Sequence, residues 1–378
     1  MQRKMVALLL GSACMSQIAF ADTESRLSDL ERQMEQIRVV TPNETCGVKT
    51  ALARPLLDEC DGCCGDSWWI NIAPIFWHAK AGGTQYAYTD SSNVNTLDKG
   101  RIKKIDFQWD WGIKAGLGHN FAHDGWDLSA QYTYFSTSGT DAVRVPPSSP
   151  GNVTPLKGFL NMDEGGDVVV LSVGKAQSQF EINFQAVDVK LGREFYVSEF
   201  LALHPFFGLK AGIFDMLQTT RYYGGDLGNN AYHVHDDSDF WGVGALAGMD
   251  GSFYMGKGFS IFGSWMADLI YGKVDVEFRD HYSLGGINKR KMKDVRHSFV
   301  PALEMMLGLQ YDTYFWQDQK HLRLRFSYES QYWWRVNQSL EAFSMTTTQP
   351  GFQGIERYRP VSEDLSFHGF TLEVRIDF

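Results

Sequence analysis

The chain ends in Phe370-Thr371-Leu372-Glu373-Val374-Arg375-Ile376-Asp377-Phe378. Phe370, Leu372, Val374, Ile376 and Phe378 alternate with Thr371, Glu373, Arg375 and Asp377, a period of two that puts the apolar residues on one face of a strand and the polar residues on the other. A terminal aromatic closing such a strand has the form of the insertion signal of an outer-membrane barrel. Working back, the same period recurs. In residues 104–119, Ile105, Phe107, Trp109, Trp111, Ile113, Ala115 and Leu117 alternate with polar residues and glycine over about 14 positions, longer than a typical globular strand. Similar runs start near Ser67, Trp126, Phe180, Leu203, Trp241, Phe259, Phe299 and Leu322. Between Phe180-Ile182-Phe184 and Val187-Val189-Leu191 the apolar phase shifts by one, which predicts a bulge.

These runs make ten strands. The gaps between them alternate long and short, the long ones including 79–103, 138–179, 215–238, 277–296 and 336–365. An up-and-down transmembrane barrel with short periplasmic turns and long external loops has this rhythm. Should further strands lie in 138–179, which contains Val168-Val169-Val170-Leu171, the barrel would have 12 to 16; alternatively that segment folds inward as a constriction. Aromatics at the short turns (Phe121, Trp126, Tyr196, Phe200, Phe253, Tyr254, Tyr314, Phe315 and Trp316) predict a lower girdle, and Trp77, Trp241, Trp333 and Trp334 an upper one. The composition agrees: 26 Phe, 16 Tyr, 11 Trp and 37 Gly in 378 residues suit a barrel better than a soluble domain. Beyond the N-terminus no apolar run is long enough for a membrane helix. A net charge of -10 argues against nucleic acid.

Ahead of the barrel (67–378) three segments are expected. Residues 1–21 read as a cleaved signal peptide, with Arg3-Lys4, an apolar run and Ala19-Phe20-Ala21; a lipid on Cys14 is the rival. Residues 22–40 place Leu27, Leu30, Met34 and Ile37 at heptad spacing, which suits either a short homo-oligomeric coiled coil or a helix on the membrane surface. Residues 41–66 form a linker holding Cys46, Cys60, Cys63 and Cys64. In an oxidising compartment these are disulfide candidates, with a zinc site as the alternative.

Ten strands about 4.8 Å apart, tilted about 40°, enclose a backbone cylinder roughly 20 Å wide. Its polar-face residues are the pore-lining candidates: Lys104, Asp106, Asp110, Lys114, Asp127, Asp188, Lys190, Lys210, Asp268, Glu304, Arg323, Arg325, Glu329, Glu373 and Arg375. They line a water-filled path or, paired with one another, plug it.

Trp68-Trp69-Ile70-Asn71-Ile72, the run Gly112–Phe121 and the run Phe206–Ile213 together resemble the MOMP-like pore-forming outer-membrane proteins of Legionella and environmental chlamydiae. The resemblance implies passive passage of ions and small hydrophilic solutes, and disulfide cross-linking of the envelope. Ten strands are fewer than the sixteen expected of a major porin, which argues against general diffusion. Partners on this reading are outer-membrane lipid, lipopolysaccharide and the barrel-assembly machinery; no cofactor, metal or catalytic residue is expected.

Two further readings rest on the external segments. His233-Val234-His235-Asp236-Asp237 and Asp280-His281 offer the residue types of an omptin-like protease. Tyr222, Tyr223 and the Gly and Asn residues after them suit adhesion, and the basic run Lys289-Arg290-Lys291-Met292-Lys293 suits contact with lipopolysaccharide or glycans.

Overall fold

The computed structural model describes residues 67–90, 100–121, 125–144, 152–158, 172–282, 288–315, 320–345 and 355–378. The leader, heptad and cysteine expectations fall outside the described residues. So do Trp316 and the Val168–Leu171 run.

Fourteen strands are described: β1 (Ser67–Ala81), β2 (Gln85–Asp90), β3 (Gly100–Lys104), β4 (Trp109–Asn120), β5 (Trp126–Arg144), β6 (Asn152–Pro155), β7 (Lys175–Arg193), β8 (Phe195–Tyr196), β9 (Leu201–Tyr223), β10 (Ala231–Gly256), β11 (Phe259–Tyr282), β12 (Asn288–Phe315), β13 (Lys320–Met345) and β14 (Ile355–Asp377). Ten of them form a closed antiparallel ring in the order β1, β4, β5, β7, β9, β10, β11, β12, β13, β14 and back to β1. Closure removes the two free edges that lipid would leave without hydrogen-bond partners. The seam lies where the sequence placed its strongest signal. β14 pairs with β1 from Trp69↔Asp377 to Ala81↔Leu365, and Trp68 and Phe378 exchange backbone hydrogen bonds of 3.0 and 2.8 Å. Phe370, Leu372, Val374 and Phe378 are exposed on the lipid face. Deleting Phe378 removes both of those bonds at the seam. A lower yield of heat-modifiable, folded barrel on gels is the expected outcome, and an unchanged yield would show that the seam closes without it.

Lipid-facing side chains mark the membrane. On β11, Phe259, Ile261, Trp265, Leu269 and Tyr271 are exposed. From Phe259 to Tyr271 the strand climbs roughly 30 Å at ~3.3 Å per residue and ~40° tilt, enough to cross the hydrocarbon. Above Tyr271 the same face carries Lys273, Asp275, Glu277 and Arg279. Strands β9 to β14 run 23 to 28 residues, more than twice what crossing a membrane needs. Most of the expected external loops 215–238, 277–296 and 336–365 are therefore strand, standing above the bilayer. At the other end the turns are tight: between β10 and β11, Lys257 and Gly258 both take positive φ (55° and 81°), as a two-residue hairpin turn requires.

Several expectations change with the register. Residues 104–119 are not one strand, since β3 ends at Lys104 and β4 begins at Trp109; Ile105 and Phe107 are buried, while Trp109 and Trp111 face lipid. β7 runs without a register shift against either neighbour, so there is no bulge in 180–195. Instead Phe180, Ile182 and Phe184 point into the barrel and Val187 and Val189 point out of it. Trp77 and Trp333 are fully buried inside the barrel, whereas Trp241 and Trp334 are exposed as a girdle requires; Tyr254 is also buried.

Of the connection from β5 to β7, the described residues 152–158 lie inward. β6 joins β2 and β3 in a separate three-stranded sheet, with Tyr86, Ala87 and Val153 fully buried. Inward side chains of the wall hold this sheet in the barrel mouth. The Tyr222 hydroxyl donates to the Tyr86 carbonyl at 2.5 Å, Asn337 donates to the Gly82 carbonyl at 2.8 Å, and Lys157 pairs with Asp236 at 3.1 Å.

Candidate functional site

The interior of the ring is the candidate site, and it is stacked in storeys. Nearest the short turns, Asp312 pairs with Arg323 at 2.9 Å and His321 at 3.0 Å, and Asp377 pairs with His321 at 2.7 Å and Arg375 at 2.6 Å. Arg325 donates to Gln310 at 2.7 Å and lies 3.7 Å from Glu373. His204 bridges Asp127 at 2.6 Å and Asp250 at 3.5 Å.

The middle storey is a lattice of buried ions. Lys210, 1% exposed, reaches Asp268 at 2.9 Å and Asp188 at 3.5 Å, and also contacts Glu304. Lys114 pairs with Glu329 at 2.5 Å, and Glu329 also accepts hydrogen bonds from Gln331 and Thr371, both at 2.9 Å. A cavity beside them is lined by Lys114, Gln131, Lys190, Ser264, Glu304 and Glu329.

The upper storey is apolar. Trp77, Phe135, Phe184, Phe214, Phe240, Trp333 and Phe367 are fully buried and meet at the barrel axis. Phe184 on β7 lies 5.5 Å from Trp333 on β13 and 5.3 Å from Phe367 on β14. These strands stand on opposite sides of the ring, so the rings form a septum from wall to wall. Phe214 stacks on Phe184 at 4.7 Å, and Trp77 lies 5.4 Å from Phe135 and 5.9 Å from Phe367. Offset and edge-on rings at such distances attract beyond their area burial. Lattice and septum also touch: the Lys114 ammonium lies 5.0 Å from the Trp77 ring and Lys210 lies 5.4 Å from Trp333. The small sheet in the mouth covers the septum.

Of the polar-face candidates, Lys104 and Asp106 are exposed and belong to no strand of the ring, and the others lie on its inward parity. Asp110 faces inward, where it accepts from Thr137 at 2.5 Å, and Lys190 lies 5.0 Å from the Phe206 ring. The inward charged residues of the lowest storey that were missed are Asp312, His321, Asp377, His204 and Asp250. All lie on the polar parity of strands already recognised, and parity alone would have found them. The septum had no such signal, because it is apolar like the lipid face.

The residues of the protease reading divide between the two faces of the wall. His233, His235 and Asp237 lie on the outward parity of β10, continuous with lipid-facing Trp241, whereas Asp236 and Asp280 point inward. His235 lies 3.1 Å from Thr219, and Asp280 accepts from Tyr232 at 2.7 Å. Burial first, then Arg279 and Arg221, hold the His235 imidazole below its usual range. Asp236 and Asp280 are thus turned away from the histidines, while Asp237 shares their face. Adhesion through Tyr222 is also excluded, because that side chain is fully buried under the small sheet.

Among solved structures, the chain is similar to the outer-membrane protease OmpT of Escherichia coli (10% identity, TM-score 0.39, covering 82% of this chain and 96% of that one). It is also similar to the toluene transporter TbuX of Ralstonia pickettii (7% identity, TM-score 0.29, 83% and 89%) and to a FadL homologue of Pseudomonas aeruginosa (8% identity, TM-score 0.23, 83% and 90%). At these values none of the three bears on function. No curated protein gives a significant match. The sequence profile described as "Legionella pneumophila major outer membrane protein precursor" matches residues 62–378, and the chain, an outer-membrane β-barrel, belongs to that family.

Proposed function

We propose that the protein is a porin-type barrel, closed at rest, that passes ions and small hydrophilic solutes only when its aromatic septum parts, and that it catalyses no reaction. One observation carries this reading: Phe184 touches Trp333 and Phe367 from the opposite wall, with the polar storeys ending directly beneath them. An ion crossing the septum at rest would lose its hydration without a replacement, a cost of several kcal/mol. The charged lower lumen, by contrast, suits hydrated ions.

A permanently plugged barrel with a structural role is the second reading, favoured by the pairing of Lys114 and Lys210 within the lattice. Planar-bilayer recording of refolded protein separates the two. Rare, brief, small conductance steps are expected if the septum parts. A large, steadily open channel would refute the closed state, and silence at every voltage would leave the structural role.

A further inference from the structure

Above the upper girdle the outward face of the wall carries a group of cations with an unusual arrangement. Of the basic run Lys289–Lys293, Lys291 and Lys293 point outward and are 57% and 62% exposed at their side chains, while Met292 between them packs against the interior core. The run is part of strand β12, so alternation separates its members.

Directly across the ladder, Glu277 pairs with Lys293 and Arg279 with Lys291. Glu277 contacts Lys291 at 2.7 Å and Lys293 at 2.5 Å and also touches Arg279, which lies 3.4 Å from Asp237. One carboxylate thus gathers three long cationic side chains. Each ammonium has three donors, and one bond to Glu277 leaves the others facing outward. Three cations against Glu277 and Asp237 also leave net positive charge.

We propose that Arg279, Lys291 and Lys293, gathered by Glu277, form a docking site for phosphate groups of lipopolysaccharide in the outer leaflet around the barrel. The height of the patch fits that partner. Glu277 lies six positions above Tyr271, roughly 15 Å past the girdle by strand rise and tilt, where phosphorylated core sugars surround the wall. The outward parity fits as well, since it is the face that meets lipid lower down. Glu277 holds the side chains ready, so little rotamer freedom is lost when phosphate arrives. Lys291 and Lys293 in turn hold the Glu277 carboxyl down to about 2, which keeps the clamp charged at any physiological pH. Between patch and girdle, Asp215, Asp239 and Asp275 sit side by side on neighbouring strands. These carboxylates repel phosphate and confine the contact to the level of the cations. The site is independent of whether the lumen conducts.

The test uses the full chain refolded in detergent, with folding checked by heat-modifiable mobility. Binding is measured for lipopolysaccharide and for the same preparation after its phosphates are removed. Wild type is expected to prefer the phosphorylated form by about tenfold, the scale of two or three exposed ion pairs, and to lose the preference in high salt. Arg279→Gln/Lys291→Gln/Lys293→Gln should abolish the preference. Glu277→Gln should weaken binding although it raises the net positive charge, because the cations are no longer gathered. Equal binding of the two preparations, or a triple variant that keeps the preference, overturns the proposal. So does tighter binding by Glu277→Gln, or an effect of the triple variant seen only with a sulfated polysaccharide such as heparin.

Discussion

Replacing Lys210 with Met is expected to destabilise the barrel more than any other single change to its ion lattice. Lys210 stands between Asp188, Asp268 and Glu304 at 1% exposure. Removing one partner of a buried pair costs about 3–5 kcal/mol, because the other charge stays behind without compensation. Here three carboxylates stay behind, close together and shielded from water. Met fills most of the space of the lysine stem, so the loss reports charge and not a cavity. Lys114→Met should cost less, since Glu329 keeps its hydrogen bonds from Gln331 and Thr371. The measurement is the denaturant midpoint of refolded barrels followed by heat-modifiable mobility. Midpoints for Lys210→Met and wild type within error would show that the lattice adds nothing to stability. A double change, Lys210→Met with Glu304→Gln, should recover part of the loss, because one of the stranded charges goes with the lysine.

How much of this was legible in the sequence depends on what alternation can say. A period of two tells which residues share a face, and Phe370 to Phe378 and the rhythm of the gaps were enough for ten strands and their closure. Alternation does not tell what that face meets. In a barrel wall an apolar row can look at lipid or at the lumen, and here it does each at a different height. On β7 the apolar residues face inward as far as Phe184 and outward from Val187, which imitates a bulge in the sequence while the ladder stays in register. Trp77 and Trp333 were assigned to a girdle for the same reason. Both stand on the inward parity at the level of outward aromatics, Trp111 beside Trp77 and Trp334 beside Trp333, so at that height apolar residues occupy both faces of the wall.

The strand extensions were hidden by a related effect. Around His233–Asp239 the outward residues are polar because they meet water, and the inward Val234 and Phe240 are interrupted by Ser238 and by Asp236, which pairs with Lys157 beside the small sheet. Neither face is uniform, so the segment reads as a loop. Lys104 and Asp106 show the converse: the apolar period runs through 105–109 although the chain there leaves β3 and only then enters β4. The charged lattice was the most legible part of the interior, because a charge on a membrane strand has only the lumen to face.

The septum yields the prediction with the largest functional effect. Phe184→Ala/Trp333→Ala removes the two rings that meet from opposite walls at 5.5 Å. Trimming both frees roughly 240 Å³ at the axis, space for about eight waters at ~30 Å³ each. A continuous file of water then joins the ion lattice to the barrel mouth, and an ion keeps part of its hydration on the way through. If that lowers the barrier by about 3 kcal/mol, conductance rises about a hundredfold, since each 1.4 kcal/mol is a factor of ten. Each truncation in a packed core costs a few kcal/mol of stability, so folding is confirmed by heat-modifiable mobility before recording. Phe278→Ala serves as control: it is also a fully buried ring of the upper interior, but it stands opposite Asp236, four residues above the level at which Val274 meets Phe240 of the septum. It should lower stability to a similar degree and leave conductance near the wild-type level. Equal conductance for the septum variant and wild type would place the closure elsewhere, in the small sheet above or the ion lattice below. A rise shared equally by Phe278→Ala would mean that loosening any part of the upper core opens the barrel, and that Phe184 and Trp333 have no special part in closing it.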